Sequence, residues 1–139
     1  MKRYLCSILF VVFALTCMTS ASEPFRGTFT STELGLKMVI DLYSESIDVP
    51  EMEMFGSMNG YIKGTGLYRT WYVSSIRQCN ETKAIIHFSN DLGSETQAVE
   101  LTLQGDSLVR FRAIDGNVMK KSQGKKLVKI QTDFIMKRE

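Results

Sequence analysis

Between Leu34 and Tyr43 every even position is large and apolar (Leu34, Leu36, Met38, Ile40, Leu42), while the odd positions include Lys37 and Asp41. A side-chain period of two belongs to a β-strand with one buried face, because successive Cβ atoms point to opposite sides of a pleated backbone. The same alternation continues along the chain. It places a short strand near Gly27-Thr28-Phe29-Thr30 and a long one from Leu67 to about Cys79. A further strand covers Lys83–Ser89, with Ala84, Ile86 and Phe88 on one face and Ile85, His87 and Ser89 on the other. Others follow over Ser94–Leu103, Leu108–Ile114, Leu127–Ile130 and Phe134–Arg138.

Turn-forming residues separate these runs at short intervals: Asn59-Gly60, Gly64-Thr65-Gly66, Asn80-Glu81, Asn90-Asp91-Leu92-Gly93, Gly105-Asp106, Asp115-Gly116-Asn117 and Ser122-Gln123-Gly124. That is hairpin spacing. After the N-terminal leader no segment carries sustained helical periodicity. The expectation is an all-β domain, an antiparallel meander of about 8–10 strands closed into a barrel, because closure removes exposed edges. A β-sandwich is the alternative. The least regular stretch, Ser46–Met58, holds Pro50 and the apolar-rich sequence Met52-Glu53-Met54-Phe55-Gly56-Ser57-Met58.

The start of the chain is of another kind. Lys2 and Arg3, an apolar run from Tyr4 to about Thr16, and the small residues Thr19 and Ala21 form a secretion signal. The run of about 13 apolar residues is short for a bilayer span, which needs ~20. Cleavage is expected after Ala21 or Ser22, giving a signal over 1–22 and a single domain over 23–139. Lipoprotein processing at Cys17 is the alternative, and the only route by which a membrane anchor enters. The expected location is outside the cytosol, secreted or in a periplasm or cell envelope.

Of the three cysteines, Cys6 and Cys17 lie in the signal, so Cys79 stands alone in the mature domain. A disulfide framework and a cysteine zinc cluster are both excluded there, and burial is the expected fate of the thiol. The chain has 17 basic and 15 acidic side chains; without Lys2 and Arg3 the two balance. The balance hides a gradient: residues 23–60 carry 2 basic and 7 acidic groups, and residues 104–139 carry 9 and 4. Pairing of an acidic first hairpin with a basic last one is the simpler account. The alternative is a patch around Lys120, Lys121, Lys125, Lys126 and Lys129 that meets an acidic partner or a membrane surface. A neutral domain lacks the footprint of a nucleic-acid binder.

No residue cluster declares a catalytic chemistry, so no catalytic, metal or cofactor site is expected. His87 is the only histidine and sits near Ser89, but no G-x-S-x-G elbow is present. Glu51 and Glu53 alternate with methionines as strand or loop residues do. Aromatic and thioether residues carry the functional expectation instead. Met52, Met54, Phe55, Met58, Tyr61 and Trp71 are read as lining a cavity mouth, where flexible thioethers adapt to an apolar guest and an aromatic anchors it. A barrel interior fully packed by side chains would refute such a guest. The expected partner is thus a small apolar or amphipathic ligand, or else an envelope protein.

The segments Phe25-Arg26-Gly27-Thr28-Phe29 and Phe134-Ile135-Met136-Lys137-Arg138 resemble the ends of calycin-type, lipocalin-like barrels. In that family a G-x-W aromatic on the first strand is covered by a basic side chain from the last. Here the resemblance gives the first role to Gly27-Thr28-Phe29, with phenylalanine in place of tryptophan, and the second to Arg138. Order and length of elements also resemble the lipocalin-like domains of exported bacterial envelope proteins. The resemblance implies a barrel, export and ligand binding without catalysis.

Overall fold

The computed structural model describes residues 22–139; the expected signal, apart from Ser22, and its Cys17 lie outside them. Ten strands follow one another: β1 (Arg26–Ser31), β2 (Leu36–Asp41), β3 (Gly60–Gly64), β4 (Trp71–Cys79), β5 (Lys83–Asn90), β6 (Thr96–Gln104), β7 (Leu108–Gly116), β8 (Lys120–Gln123), β9 (Lys126–Lys129) and β10 (Asp133–Arg138). Eight of them close into an antiparallel barrel in the order β1-β10-β7-β6-β5-β4-β3-β2, and β8 and β9 form a separate hairpin. The barrel, not the sandwich, is the fold.

Alternation decides which side chains fill the barrel. Leu36, Met38, Ile40 and Leu42 are all buried, as are Ala84, Ile86 and Phe88. One apolar cluster draws side chains from every barrel strand, including Phe29, Ile62, Trp71, Val99, Phe111 and Met136. Phe111 stacks between Phe134, at 4.6 Å, and Phe88, at 6.3 Å. Phe25 plugs the lumen from before β1, and Met119 and Ile130, flanking the hairpin, plug it from the other end. An eight-stranded barrel is narrow enough for side chains to fill it, and here they do.

Closure joins the two ends of the domain. Phe29 pairs with Arg138 across β1 and β10, and the Arg138 guanidinium lies 4.6 Å over the Phe29 ring. It also donates to the carbonyls of Arg26, at 2.8 Å, and Pro24. Gly27 makes room for it: at φ +142° a Cβ there would stand 2.8 Å from Nη1 of Arg138. This is the contact the resemblance implied.

Three expectations need correction. The strand expected over Leu67–Cys79 begins only at Trp71, and the turn-rich stretch around Gly60–Gly64 is itself strand β3. Cys79 is exposed. The reason lies in a short seam: β3 pairs with β4 only through Tyr61↔Tyr72 and Ile62↔Trp71. The C-terminal half of β4, bulged twice against β5, therefore lacks a neighbour strand on that side. Third, the hairpin lysines do not pair with the acidic segment 23–60. Among the described residues, Arg26 pairs with Glu23 and Asp41 within that segment, and Lys120 pairs with Glu95.

Candidate functional site

The six residues expected at one cavity mouth fall into three places. Tyr61 and Trp71 belong to adjacent strands, but Trp71 opposes Ile62 while Tyr61 opposes Tyr72, so the two point to opposite faces of the sheet. Trp71 fills the lumen at 2% exposure and donates its indole N–H to the Tyr68 carbonyl at 3.3 Å. Tyr61 points outward, yet it is buried too.

Its cover is the segment from Leu42 to Asn59, folded back as a flap over the outer wall. Val39, Tyr61 and Tyr72 present apolar surface on the wrong side of the barrel, and Val49, Met52, Ile47 and Met58 pack against them in a second cluster. Ladder bonds between Ile47 and Met58, at 2.9 and 2.8 Å, staple the flap. The buried Asp41 fixes its base by accepting from the Tyr43 amide and the Ser46 hydroxyl. Met54 and Phe55 cap the flap on a single 3-10 turn, Glu53–Phe55, and project into solvent at 86% and 66% exposure. Met52, Met58 and Tyr61 therefore do wall-packing, Trp71 does core-packing, and Met54 and Phe55 stand free. The outward Val39, Tyr61 and Tyr72 were the available signal, since apolar residues on both faces of a strand require a second covering layer.

One concave surface, of about 560 Å³, lies at the closing end beside Pro24, Asp106 and Arg138, and another at the end where the β8–β9 hairpin crosses the barrel. The hairpin is tied to the β3–β4 connection, with the Tyr68 amide donating to Lys120 and the Ser122 amide to Gly66, each at 2.8 Å. Beneath it is a groove of about 230 Å³. It is lined by the apolar Leu34, Leu36, Leu67, Val128 and Ile130 and by Thr65, Gln123, Gln131, Lys121 and Lys129; Lys121 shares the Val128 face of the hairpin, and Lys129 the opposite one. Lys120 and Lys129 oppose each other directly across β8 and β9, an arrangement of like charges that costs stability unless an anion intervenes. Lys121, Lys125, Lys126 and Lys129 make no ion pair among the described residues, whereas Lys120 has Glu95 at 3.8 Å.

A third concavity, of about 460 Å³, lies on the other side of the β3–β4 connection and is lined by Glu51, Lys63, Tyr68, Arg69, Thr70 and Asp91. His87 is half-buried on β5, where its carbonyl accepts the Ser74 hydroxyl at 3.1 Å. No group of three or more His, Cys, Asp or Glu side chains is placed to hold a metal ion among the described residues.

Fold and site together define the class: a small closed antiparallel β-barrel, compatible with a lipocalin-like fold, with apolar side chains filling the lumen and concavities at both ends, one of about 560 Å³ beside Arg138 at the closing end and others at the hairpin end. No protein-family model, curated protein or solved structure matches the chain.

Proposed function

We propose that this protein is an exported, non-catalytic binding module of lipocalin-like build that takes a small amphipathic anion at the hairpin end of the barrel instead of within it. The observation that carries the reading is the groove under β8–β9: its leucine, valine and isoleucine side chains give a hydrocarbon tail an apolar surface, and Lys121, on the same face of the hairpin as Val128 and without an ion-pair partner among the described residues, receives a negative head group. The filled lumen moves the ligand outward. Export follows from the signal over 1–22, and the absence of catalysis from the lack of a nucleophile–base pair in the sequence.

Decanoate, displacing the fluorescent anion anilinonaphthalene sulfonate, tests this directly. Displacement should saturate, weaken as salt screens the lysines, and fall at least tenfold in a Lys121→Glu/Lys129→Glu protein. Displacement untouched by that double change would sink the reading. A second reading, docking to an envelope protein, is favoured by Met54 and Phe55, adjacent large apolar side chains held in solvent beside Glu51 and Glu53. A crosslinked complex that persists in a Phe55→Ser protein would dispose of it.

A further inference from the structure

Three departures from ordinary structure meet at one place. The non-glycine residues with left-handed backbone among those described are Glu51, at φ +67°, and Arg69, at φ +69°. Both line the concavity of about 460 Å³ beside the β3–β4 connection. Left-handed backbone is unfavourable for a residue that carries a Cβ, and such residues gather where the surrounding structure over-determines them. The third departure is Asp91, in the same lining, whose Oδ1 is buried without a hydrogen-bond partner. Its closest cation, Arg69 Nε, stands 4.0 Å away, outside hydrogen-bond range.

The lining also has a definite chemistry. Glu51 and Asp91 offer acceptors, Lys63 and Arg69 offer donors, Thr70 offers both, and the formal charges of the four ionic groups cancel. No net field selects an ion. Tyr68, 40% exposed, supplies an aromatic ring over one face of which the Arg69 guanidinium lies, 5.2 Å from its centroid. Each hydroxyl of a sugar both donates and accepts, and its C–H face packs against an aromatic ring.

We propose that this groove binds a neutral saccharide, with Tyr68 as the stacking platform and Arg69 and Asp91 as the hydrogen-bonding pair that the sugar's hydroxyls complete. Asp91 Oδ1, buried without a hydrogen-bond partner, is the acceptor that a sugar hydroxyl satisfies, and the Arg69 guanidinium, now over the Tyr68 ring, turns to donate to the ligand. The site is separate from the groove under β8–β9 and does not depend on it.

Amide chemical shifts of the isotopically labelled mature protein, titrated with chitobiose, cellobiose and maltose, provide the test. At least one of the three should give saturable shifts confined to Tyr68, Arg69, Thr70, Asp91 and their neighbours. Tyr68→Ala should weaken binding at least tenfold, and Leu127→Ser on the hairpin should leave it unchanged. Arg69→Gly separates function from folding, because glycine adopts left-handed backbone without steric cost: that variant should unfold at no lower a temperature and yet bind at least tenfold more weakly. No saturable shift with any of the three sugars, undiminished binding by Tyr68→Ala, or an Arg69→Gly protein that binds as well as the original would each overturn the proposal.

Discussion

Removing the Arg138 side chain tests the account of how the barrel closes. The guanidinium donates to the carbonyls of Arg26 and Pro24 and covers the Phe29 ring. A hydrogen bond from a charged donor is worth about 1.5–3 kcal/mol, and a cation–π contact whose cation stays partly in water about 0.5–1 kcal/mol. Arg138 is half-buried, so water recovers part of each bond after truncation, which brings the expected loss for Arg138→Ala to about 2–4 kcal/mol. A domain of this size is stable by about 6–18 kcal/mol in all. At ~4 °C per kcal/mol for this chain length, the melting temperature should fall by about 8–16 °C.

Arg138→Lys should lie between the two, since one ammonium cannot span both carbonyls as a planar fork does. Gly27→Ala supplies the decisive cycle. In the original protein the new Cβ would stand 2.8 Å from Arg138 Nη1 and adopt φ +142°; in the Arg138→Ala protein only the backbone strain remains. The penalty of Gly27→Ala should therefore shrink by more than ~0.5 kcal/mol in the second background. Urea or thermal unfolding of the four proteins measures it. Additive penalties, or an Arg138→Ala protein within ~0.5 kcal/mol of the original, would refute the closure argument.

Two further outcomes follow from the same structure. Trp71→Ala should cost about 3–5 kcal/mol by leaving a cavity in the barrel, whereas Phe55→Ser should stay within ~0.5 kcal/mol; equal denaturant midpoints for the two would contradict their placement in core and solvent. Acid should destabilise the domain. The hydrogen bond and charge of Arg110 hold Asp133 below the ordinary carboxylate range. At Glu100 burial works upward but is outweighed by Arg112 and Lys83, so its pKa is also lowered. Folded values below the unfolded ones, ~3.9 for Asp and ~4.3 for Glu, give stability that is present above those values and lost as pH falls through the folded ones. The stability gap between the original and an Asp133→Asn protein should thus narrow from about pH 5 downward, and a gap constant from pH 7 to pH 3 by urea titration would rule this out.

The sequence by itself determined the all-β class, most of the strands and their buried faces, though not β3, β8 or the start of β4. Alternation at Leu36-Met38-Ile40 and at Ala84-Ile86-Phe88 is local information, because the period of two is a property of each strand's own backbone. Gly27, Phe29 and Arg138 were legible only through the resemblance to calycin-type barrels, whose first-strand aromatic is covered by a basic side chain from the last strand. What the sequence left undecided were contacts made between elements far apart in the chain. Tyr61 and Trp71 look like neighbours in a list of aromatics, but one residue of register puts them on opposite faces. Met52 and Met58 proved to be the cover of an outer wall, and the fate of Cys79 turned on the short β3–β4 seam. Only the tertiary structure could fix these, since register and layer order depend on the summed packing of all the strands. For the same reason it alone brought Glu51, Arg69 and Asp91, forty positions apart at most, into one groove.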